Sequence, residues 1–183
     1  MSGLPLIEPE TAAGEAAALL DAVQHALGLT PNLAKAMANS PAALRGFLEL
    51  RRALGAGSLP EAAREGIALL VAQENGCDYG LSWHTYTGTK LAGLSGEQVR
   101  RARGGEAEDP TTAAVLSLTR SLMSRRGTVS DTELAAARGS GLTGGQITEV
   151  VAHVALNVFT TYLGKTARIA VDWPLVRHDD LNV

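Results

Sequence analysis

The sequence predicts an all-α protein, a single-domain helical bundle, and three observations carry that reading. Helix-start signals recur at short intervals, and the segments between them set apolar residues at helical spacing. No segment alternates apolar and polar residues between hairpin turns, so strands are not expected.

The starts come in two forms. Thr30-Pro31, Ser40-Pro41 and Asp109-Pro110 each place a capping side chain before a proline, whose fixed φ and missing N–H suit the first helical turn. Ser58 with Glu61, Ser95 with Gln98, Ser130 with Glu133 and Thr143 with Gln146 have the spacing of a capping box. The stops are glycines: Gly28, Gly55 and Gly57, Gly104-Gly105, Gly127, Gly139 and Gly141. Helices are therefore predicted over 9–27, 31–38, 41–55, 59–74, 78–92, 96–103, 110–126 and 131–138, then a long one from 144 to about 170. In the fourth of these, Ala63, Ile67, Leu70 and Val71 fall on one face. The polar stretch from Gly104 to Asp109 reads as a loop within one domain.

A chain of 183 residues with 45% hydrophobic content can bury a real core. A net charge of -3 gives no electrostatic reason to expect nucleic acid. The arginines at 100, 101, 103, 125 and 126 read as solvated helix ends, where cations meet the C-terminal dipole. No apolar run approaches a membrane span, and MSGLPLIEPE lacks the basic start and apolar stretch of a signal peptide. One cysteine excludes an intrachain disulfide. The expectation is a cytoplasmic protein with no nucleic-acid or membrane partner.

Chemistry concentrates at 74–84, ENGCDYGLSWH. Asn75-Gly76 breaks one helix, and Cys77 sits at the start of the next, where a helix N-terminus lowers a thiol's pKa. Steps of three and four residues reach Gly80 and His84, so the three share one face. Gly80 stands where a C-x-x-C would have its second thiol. A histidine two turns from a thiol is placed to exchange protons with a group between them. Glu65 on the preceding helix turns toward the same junction, so Glu65, Cys77 and His84 form a candidate acid–base cluster. A lone cysteine also serves as a small buried hydrophobe, and a lone helical histidine as a hydrogen-bonded structural group. Spacing alone leaves both readings open.

The run from Arg64 to His84, REGIALLVAQENGCDYGLSWH, resembles the carboxymuconolactone decarboxylase-like superfamily. It is most similar to the alkylhydroperoxidase D-like, peroxidase-related branch. Arg64-Glu65, Asn75-Gly76-Cys77, Tyr79 and His84 carry the likeness. The stretch from Glu149 to Pro174 resembles the family's closing helix and final Asp-aromatic-Pro, and Pro31-Asn32 fits as well. On this resemblance residues 30–174 form the core, 1–29 an N-terminal helical extension and 175–183 a C-terminal tail.

The resemblance implies a homotrimer or homohexamer with active sites near subunit contacts and no cofactor. In the redox-active branch two cysteines cycle between dithiol and disulfide while a glutamate and a histidine relay protons. By position, Glu65 is the relay carboxylate, His84 the relay histidine and Cys77 the first cysteine, with Tyr79 in a supporting place behind them. The second cysteine, the one expected to attack peroxide, is replaced by Gly80, which leaves Cys77 nothing to resolve. Trp83 stands where the family has a smaller residue, and Thr161 and Gly164 stand where asparagines are expected. Together these changes remove a nucleophile and polar groups, open space at Gly80 and add an aromatic surface.

The function expected is therefore a cofactor-independent acid–base enzyme of proton-transfer or lyase type, acting on a small planar or apolar substrate. Glu65 or His84 moves the proton, and Gly80, Trp83 and Tyr79 line the pocket. Burial beside apolar groups is expected to raise the Glu65 pKa and strengthen it as a base. The scaffold is peroxidase-like, its redox pair lost by divergence or engineering. Two alternatives stand beside this: a residual thiol peroxidase using Cys77, and a non-catalytic oligomeric binder of a small molecule. Glu149, His153 and Asn157, four apart on the last helix, read as a buried hydrogen-bonded stripe bracing the helix, with a contribution to the pocket as the alternative. Glu-x-x-x-His lacks a third convergent ligand, so no metal is expected. His25 and His178 look peripheral and are assigned no chemistry.

Overall fold

The computed structural model describes residues 3–182; Met1, Ser2 and Val183, the outermost positions of the predicted extension and tail, lie outside the described residues. Among the described residues there are nine α-helices and no strand: α1 (Gly14–Leu27), α2 (Asn32–Met37), α3 (Pro41–Gly55), α4 (Glu61–Glu74), α5 (Asp78–Lys90), α6 (Gly96–Arg103), α7 (Pro110–Ser124), α8 (Asp131–Gly139) and α9 (Gly144–Ala167). A short 3-10 turn, Asp179–Asn182, closes the chain. No helix among these residues is long and apolar enough to cross a membrane.

Helix α4 is the axis of the bundle. Ala63 and the unbroken run from Gly66 to Ala72 are buried, and α5, α6, α7 and α9 all pack on it. Its small residues allow this: a Cβ at Gly66 would stand 3.1 Å from Leu116 Cδ2 on α7. On one side Ile67 and Val71 pack with Val115, Leu118 and Leu122 of α7 and Val150 of α9. A second cluster joins Leu20 and Val23 of α1 and Leu33 and Met37 of α2 to Cys77 and Tyr79. The segment read as an N-terminal extension thus shares the core that encloses the cysteine.

Most of the expected caps form. Ser95, Ser130 and Thr143 each complete a capping box, and Ser40 and Asp109 accept the N–H groups of Ala43 and Thr112. Two expected starts are corrected. Thr30 gives its hydroxyl to Gln24, and the Asn32 N–H at the head of α2 is accepted by the Asp172 carboxylate at 3.0 Å. Ser58 makes no box with Glu61, because Pro60 intervenes and fixes the entry to α4. Instead the Ser58 N–H and hydroxyl donate to Glu149 at 2.8 and 2.9 Å, and the Leu59 N–H donates at 3.1 Å. The first helix starts at Gly14 rather than residue 9. The last ends where Arg168 turns left-handed, at φ 49°.

The C-terminal segment folds back over α4 and α5. Val176 donates its N–H to Ser82 Oγ at 2.9 Å, and Arg103 reaches the Arg177 carbonyl at 2.7 Å. His178, read as peripheral, meets Asp78 Oδ1 with both its N–H (2.9 Å) and its ring Nδ1 (2.7 Å).

Glu149 ties α9 to the α3–α4 turn by accepting from three donors, the Ser58 N–H and hydroxyl and the Leu59 N–H, so it acts as a cap supplied from another helix. Glu149→Ala should lower unfolding free energy by about 1–2 kcal/mol, the usual cost of losing a helix-start acceptor. Glu149→Gln, which keeps an acceptor oxygen, should lose less. Urea denaturation midpoints measure both, and an unchanged midpoint in the alanine variant would show that the anchor contributes nothing.

Candidate functional site

The α4–α5 junction builds the site. Asn75 ends α4, Gly76 turns the chain at φ +57°, where a side chain would be strained, and Cys77 is the N-cap of α5. Helix α5 then packs back along α4. This brings Glu65 Oε2 to 3.0 Å from His84 Nδ1. The same oxygen accepts the Thr87 hydroxyl at 2.9 Å. Thr87 did not emerge from the sequence; its place three residues beyond His84, on the same face, is the signal that identifies it. The Glu65 and His84 side chains are 20% and 21% exposed, sheltered from bulk water yet open to a ligand.

Burial by itself raises the Glu65 pKa, but the charge and hydrogen bond of His84, the Thr87 bond and the Arg51 charge outweigh it. The carboxyl is held below its ordinary range. This reverses the expectation of Glu65 as a strengthened base. An ionised carboxylate only accepts, so Nδ1 of His84 carries the hydrogen and a neutral His84 has its lone pair on Nε2. A neutral His84 would thus be free to accept a proton at Nε2.

Both residues line a cavity of about 540 Å³. Trp83, Tyr79 and the Gly80 backbone form part of its wall, and Phe47 of α3 with Val23 and Leu27 of α1 add further apolar surface. The Trp83 ring lies 4.7 Å from that of Trp173, and Tyr79 meets Trp173 edge-on at 5.7 Å. Tyr79 gives its hydroxyl to Asp172 at 2.7 Å and accepts the Leu33 N–H at 3.1 Å. Burial and the Asp172 carboxylate push the phenol far above its ordinary value, so it stays neutral and structural.

Cys77 lies outside this wall. It is 2% exposed, and its Sγ accepts the Gly80 N–H at 3.4 Å. Burial pushes the thiol up, and the Gly80 and Tyr79 backbone bonds and the Lys165 charge do not bring it back. The expected lowering by the helix N-terminus is thereby overturned. The expected open space at Gly80 is also absent. A Cβ there would stand 3.1 Å from Ala72 Cβ, 3.3 Å from Thr161 Cγ2 and 3.6 Å from Cys77 Sγ.

The stripe on α9 divides. Glu149 anchors the α3–α4 turn, while His153 and Asn157 reach the cavity. Asn157 donates to the His153 carbonyl at 2.8 Å. His153 Nε2 is fully buried with no hydrogen-bond partner among the described residues. Burial, then the Arg64 charge, depress its pKa against the pull of Glu149 and Glu65, so the ring is neutral. Arg51, Arg52 and Arg64 also line the cavity; Arg64 was marked only by the Arg64-Glu65 likeness, and nothing in the sequence context of Arg51 and Arg52 separates them from ordinary surface arginines.

Residues 41–122, which carry Arg51, Glu65, Cys77 and His84, match the carboxymuconolactone decarboxylase family. No curated protein matches the chain. Among solved structures, the alkylhydroperoxidase AhpD core of an uncharacterized peroxidase-related protein from Ralstonia eutropha JMP134 is similar at a TM-score of 0.78 and 21% identity, over 93% of this chain and 92% of that one. A peroxidase-related protein from Silicibacter sp. TM1040 is similar at 0.74 and 18%, over 98% and 92%. The debrominase Bmp8, as a cysteine-to-alanine variant in complex with 2,3,4-tribromopyrrole, is similar at 0.76 and 16%, over 94% of each chain. At these identities the likeness is one of fold.

Two outcomes follow from this geometry. Because the folded Glu65 carboxyl lies below its ordinary 4.5, its ionisation stabilises the fold above pH 4.5, and acidification through the folded value removes that contribution. The stability advantage of the native chain over Glu65→Gln should thus persist from neutrality into the mid-4 range and shrink below it. Urea titrations at a series of pH values would show this; an advantage that grew on acidification would contradict it. Native Cys77 should react with iodoacetamide at least about 100-fold more slowly than in the unfolded chain, because only an exposed thiolate is a nucleophile.

Proposed function

Starting from a helical scaffold whose residues 41–122 match the carboxymuconolactone decarboxylase family, we propose that the chain is a cofactor-independent acid–base enzyme. Its reaction is of proton-transfer or lyase type, and its substrate is small, planar and largely apolar. The observation that carries this reading is the 3.0 Å pair between Glu65 and His84 on the cavity wall, with His84 Nε2 left for a ligand. A substrate ring packs on Trp83, and His84 Nε2 removes its proton. Glu65 holds the tautomer and stabilises the imidazolium formed, and Thr87 fixes the carboxylate. The substrate anion shares the cavity with Arg51 and Arg52, whose field favours it.

Bmp8 supports the choice of substrate shape, since a protein of this fold is seen with a planar halogenated heterocycle. Burial, a raised pKa and a position off the cavity wall weigh against the thiol-peroxidase alternative through Cys77. We carry forward assembly as a homotrimer or homohexamer within the same proposal. Val151, Phe159 and Tyr162 support it, being exposed apolar side chains along one side of α9.

The test needs no knowledge of the natural substrate. 5-Nitrobenzisoxazole is a planar heterocycle that opens to a coloured phenolate when a base removes its ring C–H proton. Its turnover should fall about 100-fold or more in His84→Ala and about tenfold in Glu65→Gln, the range expected for losing a general base and its orienting partner. Cys77→Ala should stay within about twofold of the native rate. A native rate no greater than that of His84→Ala would sink the proposal, as would silence in Cys77→Ala.

A further inference from the structure

Positive charge and apolar surface meet in one cavity, and the protein leaves part of that charge unanswered. Arg51 and Arg52 of α3 and Arg64 of α4 all line it. Arg64 Nη1 donates to the Gly55 carbonyl at 2.9 Å. Arg51 and Arg52, by contrast, have no hydrogen bond or ion pair with any described residue. The Arg51 charge still reaches the polar end of the cavity, where it contributes to holding the Glu65 carboxyl ionised.

The acids of the wall do not pair with these two arginines. Glu65 already accepts from His84 and Thr87. Glu61, the other acid in the lining, forms no ion pair with either arginine. Three guanidinium groups against two carboxylates leave the lining net positive. The rest of the wall is largely apolar, with Val23 and Leu27 of α1, Phe47 and Leu48 of α3, Trp83 of α5 and Leu156 of α9. Its volume of about 540 Å³ is more than a single six-membered ring fills. It falls within the roughly 300–1,000 Å³ of small-molecule sites.

We propose that the substrate of this cavity carries a fixed carboxylate on a flat apolar body, and that Arg51 and Arg52 are the specificity-determining residues that read it. Fused or extended aromatic monocarboxylic acids are the chemical class. A guanidinium presents its N–H donors in a fork that matches the two oxygens of a carboxylate. Two such forks without partners, beside an apolar wall, favour an amphipathic anion over a neutral ring of the same shape. This charge is present before any proton moves, so it differs from the anion formed when His84 takes a proton. The inference rests on the reading of this cavity as a substrate site, but it concerns recognition and is tested by binding.

2-Naphthoate and 2-naphthamide share a bicyclic body and differ in the charge of the head group. Titration calorimetry on the full chain at low salt should show the acid binding about fivefold or more tightly than the amide, the scale of two exposed charge pairs. Trp83 and Trp173 pack together at this wall, so quenching of tryptophan emission should accompany binding and locate it. In Arg51→Gln/Arg52→Gln the preference should fall to within about twofold while the amide binds as before. Arg51→Lys/Arg52→Lys, which keeps the charge, should retain a preference for the acid. Glu61→Gln should widen the preference, and added salt should narrow it. Equal binding of acid and amide by the native chain would overturn the inference. So would binding of neither, or a preference that survives in the glutamine double variant. Acid preference without His84-dependent opening of 5-nitrobenzisoxazole would remove the proton-transfer reading and leave this one standing. His84-dependent opening without acid preference would do the reverse.

Discussion

A carboxylate on a helix buried from nearly every direction has to be answered, and the arrangement of this site follows from how Glu65 is answered. Helix α4 is buried from Gly66 to Ala72, all of it apolar, so an ionised group one residue earlier has little water to rely on. His84 and Thr87 both turn to it from α5, and Arg51 adds its charge from α3. The outcome is an acceptor held in its charged form, which fixes which nitrogen of His84 carries the hydrogen. Every later chemical statement about the cavity depends on that assignment. It also shows why burial alone is a poor guide to basicity: a partner at 3.0 Å reverses the sign that desolvation would impose.

The same packing explains why the cysteine is quiet. Cys77 occupies an N-cap, a position that normally favours a thiolate, yet the segments around it close every approach. Leu33 and Met37 of α2 and Ala167 and Ile169 at the end of α9 belong to its cluster, and Gly164 lies so near that a Cβ there would sit 3.7 Å from Sγ. Desolvation then exceeds what a single weak N–H bond from Gly80 returns. Gly80 is bounded by Ala72 and Thr161 in turn. The volume freed by the absent second thiol has been taken up by neighbours, and the cavity lies on the other side, against Trp83 and His84.

The helices were legible because their ends are written locally. A capping serine or threonine with its glutamate or glutamine three residues on needs no tertiary information, and Ser95, Ser130 and Thr143 behave accordingly. Ser58 and Thr30 misled because the groups that answer those helix starts are remote: Glu149 lies 91 residues from Ser58, and Asp172 lies 140 residues from the Asn32 N–H it accepts. At the site, Glu65 and His84 were legible through spacing across one tight turn. The signs of the Glu65 and Cys77 shifts were not, since each depends on side chains from other helices. The orphaned Nε2 of His153 was equally out of reach, for a missing partner shows only once the neighbours are placed.

Removing one thiol and sealing the other changes the task left to the histidine. In a relay that serves a cysteine, the imidazole receives its proton from sulfur. Here Cys77 is enclosed and no described residue bonds to His84 Nε2, so in the proposed reaction the proton comes from the molecule that fills the cavity. The wall has been refitted to match. Trp83 packs against Trp173 and presents aromatic surface to the cavity, and Val23 and Leu27 of α1 line the same space. On the proposed reading, aromatic surface beside His84 favours a flat ligand that brings its own proton to give. Within that reading, one ion pair sets what the cavity asks of its ligand.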